Sequence, residues 1–306
     1  MSATTSTVPG APSPASALSG SQPRASRGLW RDAFSRLLRN KPALIGLGLI
    51  MLFVAVAILA PIIAPYGPIE RDAGQSLKPP SATHIFGTDK LSRDEYSRVL
   101  YGAQVSLFVG VISVIMGLAI GGSMGALAGG IGGKVDSVLM RVTDVLLAIP
   151  GILLAIGIVA WLGRGLPQIM LAVAVANAPI FARLLRGSLL SLHESDFVTA
   201  SRSLGAGRTR LLMRHMLPNA LTPLIVAATL ALATAIIDVA GLGFLGLGPP
   251  DPRTAEWGTM LTDARAFLQR APWLLIAPGV AISITAIGFN LLGDGLRESL
   301  DPRLKR

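Results

Sequence analysis

A chain of 306 residues that is 51% hydrophobic and 14% charged, with a mean hydropathy of +0.60, is too apolar for a soluble domain of that length and points to residence in a membrane. A net charge of +10 would suggest nucleic acid in a soluble protein, but the basic residues cluster between apolar runs, so topology accounts for them and no nucleic-acid partner is expected. With no cysteine and only three scattered histidines, neither a disulfide framework nor a metal cage is expected.

Residues 1–28 are rich in Ser, Ala, Pro and Thr without apolar periodicity, the composition of a disordered tail that cannot bury enough surface to offset its ordering entropy. Over 29–42 the pattern changes. Leu29, Trp30, Ala33, Phe34, Leu37 and Leu38 share one helical face while Arg31, Arg36, Arg39 and Lys41 fall elsewhere, which predicts an amphipathic helix lying on a membrane. Pro42 leads into a first span, 43–64, of roughly 20 residues without a charge. A signal peptide would have a shorter apolar run, so this span reads as a retained anchor.

An external loop over 65–102 follows, holding Phe86-Gly87-Thr88-Asp89 and then Ser92-Arg93-Asp94-Glu95. Ser92 and Glu95 fit a capping box, which predicts a short helix starting at Arg93 and running into the second span. On the plain reading, Asp94 and Glu95 stabilise that helix end through its dipole. On the sharper one, Asp89, Arg93 and Asp94 form an external rim that receives another protein.

Five further spans are expected within a core of 103–306: Val105–Leu127, Val145–Leu162, Leu166–Ala182, Leu221–Phe244 and Leu274–Leu292. The third of these five is interrupted by Asn177 and Pro179. Lys and Arg near span ends all fall on one side, which places both termini and a loop over 187–219 in the cytoplasm. Trp161 and Trp273, at outer span ends, suit interfacial anchors that keep the indole N–H wet. Gly121, Gly125, Gly129 and Gly133 recur every four residues, a spacing for close helix packing.

Motifs for catalysis are missing. The nearest match to a phosphate-cradling loop, Gly133-Lys134, continues with Val135 and has Ala128 where its first glycine belongs. Gly241-Leu242-Gly243-Phe244-Leu245-Gly246 satisfies GxGxxG but ends a membrane span instead of opening a helix after a strand. No catalytic triad or carboxylate pair stands at informative spacing. Asp238 is the exception in kind, because a carboxylate within a span costs about 2.5 to 3.5 kcal/mol at mid-bilayer and so faces a translocation path or a neighbouring helix. Asn177 and Asn290 can hydrogen-bond across helices, and Arg141 and Asp144 are expected to pair locally.

In the cytoplasmic loop, Ser195 or Asp196 can cap a short helix whose apolar face is Phe197, Ala200 and Leu204, with Gly205 and Gly207 breaking it. A second helix is expected from Thr209 to Pro218, with Asn219 capping the next span. A helix so short is marginal alone, since isolated helices under about 12 residues barely hold in water. Its order must come from docking.

This loop resembles the EAA loop of ABC importer permeases, in which Glu-Ala-Ala, three residues and Gly precede a stretch ending His-x-Leu-Pro-Asn. Here Thr199-Ala200-Ser201, Gly205 and His215-Met216-Leu217-Pro218-Asn219 stand in that pattern, with Thr199 and Ser201 departing from the usual Glu and Ala. Phe86-Gly87-Thr88-Asp89 with Arg93-Asp94, the stretch 136–150, Phe244-Leu245-Gly246-Leu247-Gly248, Trp257-Gly258, Phe289-Asn290-Leu291-Leu292-Gly293-Asp294-Gly295-Leu296-Arg297 and Asp301-Pro302-Arg303 are similar to the C-type permease of the dipeptide, oligopeptide and nickel branch. Ser92 stands where that branch usually has glycine. The resemblance covers roughly 28–306.

The resemblance implies an all-α, multi-pass protein of the bacterial inner membrane with six transmembrane helices in the type I importer (MetI-like) fold. It implies a half-transporter without catalytic residues, binding no cofactor itself and paired with a related B-type permease. Two ATPase subunits that use ATP and Mg would sit on its cytoplasmic face, and an external solute-binding protein would deliver the cargo. Ser195, Asp196, Phe197, Thr199, Ala200, Ser201, Leu204, Gly205, Ala206 and Gly207 would then be the ATPase-coupling segment, and Asn177 and Asp238 would line the path. Di- or oligopeptides fit best as solute, with nickel complexes or glutathione as alternatives within the branch. The alternative from another class is a secondary transporter using Asp238 as an ion site, which would require broken helices at matching positions of an inverted repeat.

Overall fold

The structure, a computed structural model, describes residues 34–300; the expected tail and residues 29–33 of the interfacial helix lie outside that range. Helices α1 (Lys41–Ile63), α2 (Glu95–Ile131), α5 (Leu166–His193), α7 (Arg208–Leu247) and α9 (Trp273–Leu300) are each long and apolar enough to cross a membrane. A sixth crossing is available from α3 (Gly133–Leu147) and α4 (Gly151–Leu162), which are bent by 93° to each other. Among the shorter helices are α6 (Asp196–Ser203) and α8 (Trp257–Ala264).

The expected third span, Val145–Leu162, is therefore not one helix. Pro150 has no N–H to continue the ladder and sits at φ −53°, ψ 129°, outside helical geometry, so the chain turns there. The 12 residues of α4 rise only about 18 Å, short of the roughly 30 Å of hydrocarbon.

The capping box is also corrected. Ser92 lies at φ +61°, in the turn before the helix, and Asp94 is the N-cap, its Oδ2 accepting from the Ser97 N–H and hydroxyl at 2.7 Å each. The helix expected to run from Arg93 into the second span starts at Glu95: α2 continues for 37 residues without a break, so the division expected at 102/103 falls inside it. At 1.5 Å per residue it is about 55 Å long, and its polar first turns reach past the apolar layer.

Pro218 does not end a helix as expected. Helix α7 passes through it because Leu211–Met216 forms a wide turn, which moves backbone bonding off the carbonyl that the proline ring would strike. Asn219 is not a cap; its Nδ2 donates to the His215 carbonyl at 2.5 Å. Likewise Asn177 and Pro179 sit inside α5, which extends to His193.

Small residues set the packing. A Cβ on Gly121 would collide with the Ala178 carbonyl, one on Gly125 would lie 2.5 Å from the Ala182 carbonyl, and one on Gly117 would lie 2.9 Å from that of Ala174. The α2–α5 seam therefore follows a glycine row starting at Gly117, whereas Gly133, at φ +61° past the helix end, meets nothing. A similar approach joins α1 to α9, where a Cβ on Gly46 would lie 2.6 Å from the Gly288 carbonyl. One apolar core lies among α2, α4, α5 and α7; a second, around Trp257, joins α1, α2, α7 and α9.

Polar contacts gather at the two ends of the bundle. At one end Lys90 pairs with Asp263 at 2.6 Å and Arg93 Nη1 donates to the Pro252 carbonyl at 2.6 Å. At the other, Asn40 bonds Glu298 at 2.7 Å, and Arg183 and Arg186 of α5 pair with Asp144 and Asp136 of α3, each with a 2.7 Å contact. Asp144 thus pairs with Arg183, not with Arg141 as expected, because α3 folds back along the inner half of α5. Trp273 differs too: its Nε1 is buried without a hydrogen-bond partner among the described residues, pressed toward Gly87, so its ring closes the external loop.

Candidate functional site

Helix α6 is held at the basic end between α5 and α7. Val198 is 1% exposed and enters the first core, while Phe197 is 42% and Leu204 89% exposed, with Thr199 and Ala200 also at the surface. Expectation placed one apolar face on this helix, and there are two: Val198 faces in, and Phe197 with Ala200 faces out. The sign available in sequence was the adjacent pair Phe197-Val198, which cannot share a face at 100° per residue.

Both ends of α6 are defined. Ser195 occupies the N-cap position in an extended conformation, but its hydroxyl donates back to the Leu192 carbonyl at 2.5 Å. At the far end the Gly205 N–H reaches the Arg202 carbonyl at 3.0 Å and the Ala206 N–H that of Ser201 at 3.1 Å, with Gly205 at φ +84°. That paired closure with a left-handed residue is the Schellman stop, for which glycine carries no Cβ penalty. Thr199 and Ser201 spend their hydroxyls on carbonyls one turn back, Ser195 and Phe197. Gly207 precedes α7, whose first residue, Arg208, donates Nε to the Gly130 carbonyl at 3.1 Å and Nη2 to that of Ile131. Those are orphan carbonyls at the end of α2, where a cation also meets the negative end of the helix dipole. Sequence reading did not single out Arg208.

At the outer end, the three rim candidates are buried. Asp89 accepts from the Arg93 side chain at 2.6 Å and from the Leu91 and Arg93 N–H groups at 2.8 and 2.9 Å; Asp94 Oδ1 lies 2.9 Å from His84 Nδ1. They brace the loop from within, and none presents its side chain at the surface. The same cap contains Glu256, which sequence reading passed over, and Trp257, which entered it only as part of the resembling pair Trp257-Gly258. Trp257, fully buried, donates Nε1 to the Val99 carbonyl at 3.0 Å. Glu256, also fully buried, caps α8 by accepting the Gly258 and Thr259 N–H groups at 2.8 Å each. Burial pushes its carboxyl above the ordinary range, opposed by those N–H groups and the Ser106 hydroxyl.

The glycines of the GxGxxG stretch serve this approach. A Cβ on Gly243 would lie 2.7 Å from Glu256 Oε2, and Gly246 takes φ +82° where α7 ends. Of the two path candidates, Asn177 is buried in the α2–α5 seam and donates to its own helix at Val173, 2.9 Å away. Asp238 is half-buried near the outer end of α7 and has no hydrogen bond or ion pair among the described residues.

A helical bundle with its ion pairs gathered at its two ends, and with a short helix displayed at the end that carries Arg183 and Arg186, has the build of a membrane permease subunit. The chain belongs to the family of binding-protein-dependent transport system inner membrane components, whose family model matches residues 121–306. Residues 28–80 match the N-terminal transmembrane domain of oligopeptide transport permease C. Relatives include the dipeptide transport system permease protein DppC of Alkalihalophilus pseudofirmus, 44% identical over 90% of each chain. The di/tripeptide permease DppC of Pseudomonas aeruginosa is 44% identical over 90% of this chain and 92% of its own. The glutathione permease GsiD of Escherichia coli is 45% identical over 90% and 91%. In fold, a chain of the inward-facing MetNI methionine ABC transporter aligns with TM-score 0.56 over 67% of this chain and 96% of that one, at 22% identity. The chain is accordingly a multi-pass inner-membrane permease subunit of an ABC importer with the all-α type I fold.

Proposed function

We propose that this chain is the C-type permease subunit of an importer for di- and oligopeptides, forming half of the translocation pathway. It works beside a B-type permease, with two ATPase subunits that use ATP and Mg and an external binding protein that delivers the peptide. The relatives named for dipeptides, di/tripeptides and glutathione support a short peptide as solute, glutathione being itself a γ-linked tripeptide.

The observation that carries the coupling role is the two-sided seating of α6. Val198 ties it to the core while Phe197, Ala200 and Leu204 stand exposed at the end of the bundle. An apolar face so placed finds burial in an ATPase cleft, and closure of the ATPases moves the bundle between two packings. Ser195, Asp196, Thr199, Ser201, Gly205, Ala206 and Gly207 shape and terminate that helix. Asp238 lines the path; Asn177, turned into the seam, serves packing.

The test uses the reconstituted full complex. Ala200→Glu places a charge in the face to be buried, so the variant inserts and assembles with its partner permease, yet tripeptide import falls by at least tenfold while ATP hydrolysis persists. Import at the wild-type rate by a correctly inserted Ala200→Glu complex refutes the coupling role.

A further inference from the structure

Asp238 poses a problem that the described residues do not solve. It is an acid within the apolar part of α7, and no described residue gives it a hydrogen bond or a cation. On the side of the helix that packs inward, Ala235, Ile236 and Val239 are buried in the two cores. Asp238 lies at the border of that side: Leu242, one turn further on, is buried with Ala235 in the first core, while Thr234 and Leu245, also at helical spacing, and Ile237 are exposed. A carboxylate within an apolar span is costly against lipid, and such groups almost always face a bundle interior or a water-filled cavity.

The surroundings narrow what such a group can meet. Gly241 adds no side chain on the outer side, where a Cβ would come only within 3.9 Å of Ile152, so the approach from α4 is left open. Thr234 commits its hydroxyl to the Ala231 carbonyl at 3.0 Å and offers no proton to Asp238. Of the outer-end cations, Arg265 lies over the Phe244 ring at 4.9 Å. An unpaired carboxylate on an open face, amid small and apolar neighbours, is a site for a mobile cation carried by something that passes.

We propose that Asp238 is the transient counter-ion for the free α-ammonium group of the peptide as it crosses, and so a specificity-determining residue of the pathway. This rests on the peptide-import reading above. It narrows the cargo to molecules with a free amino group, which dipeptides, tripeptides and glutathione share. The contact is a charge-assisted hydrogen bond to a positioned carboxylate, shed again at the inner side because no second acid on α7 retains the cation.

The experiment compares a tripeptide with its desamino analogue, each saturating the binding protein, in proteoliposomes holding the complete complex. With wild-type chain the free-amino peptide is imported about tenfold faster than the analogue, and Asp238→Asn brings the ratio close to one. Asp238→Glu restores the preference. An unchanged ratio in Asp238→Asn overturns the proposal. So does loss of complex assembly or of thermal stability in peptide-free Asp238→Asn, which would mean that the carboxylate pairs with the neighbouring permease. Failure of the wild-type complex to import either compound under ATP would instead count against the peptide-import reading itself.

Discussion

At Gly121 and Gly122 two adjacent residues of one type have opposite duties. A methyl on Gly121 would collide with the Ala178 carbonyl, whereas nothing lies within 4 Å of one on Gly122. Gly121→Ala is therefore expected to destabilise the chain by about 1–3 kcal/mol through separation of α2 from α5. Gly122→Ala leaves it unchanged or raises stability by up to about 1 kcal/mol, through helix propensity. Thermal unfolding of the two purified variants checks the difference, and equal melting temperatures would refute the seam. The period of four and its phase were readable in sequence, but the ends of the row were not. Gly133 fits the spacing and contributes nothing, because α2 ends at Ile131, while Gly117 was passed over. The pairings of Trp257, which entered only through the resemblance, and of Glu256, which did not enter at all, were illegible for a related reason: their partners, Val99 and Ser106, stand some 150 residues earlier, and no local pattern announces such pairing.

Among the elements, α3 depends most on charge. Its amphipathic helix rests on the inner half of α5 through Asp136–Arg186 and Asp144–Arg183, the first bidentate and partly shielded, the second largely exposed. Exposed pairs contribute about 0–1 kcal/mol, so Arg183→Ala is expected to be nearly silent. Arg186→Ala should free α3 and open the 132–150 stretch to protease applied from the cytoplasmic side, while Asp136→Arg with Arg186→Asp recovers part of the protection. Identical digestion of wild type and Arg186→Ala would show that apolar packing alone holds α3. Hydropathy located this region as apolar but not as broken, since a window average is blind to a 93° turn at Pro150. For α7 the error ran the other way: Pro218 reads as a stop, and the wide turn at Leu211–Met216 that lets the helix continue has no composition signature.

Across the whole molecule, the question is how movement of a helix eight residues long reaches the spans. Two attachments are available. Val198 inserts α6 into the core beneath α5 and α7, and Arg208, just past the loop, grips the last carbonyls of α2. The first resists separation but tolerates sliding, because apolar contact is not directional. The second fixes direction: a planar guanidinium bonding two carbonyls at once sets the angle between the loop and α2, and α2 is in turn locked to α5 along its glycine row. Loss of the second should therefore spare docking and impair transmission. Arg208→Ala is expected to leave assembly with the ATPases intact and to lower the number of peptides imported per ATP hydrolysed by several-fold, measured as paired uptake and phosphate release in proteoliposomes. Arg208→Lys, keeping the charge but only a point donor, should recover little. A full recovery by lysine would mean that the charge at the end of α2 suffices, and an unchanged ratio in the alanine variant would assign transmission to Val198 and the wide turn of α7 instead.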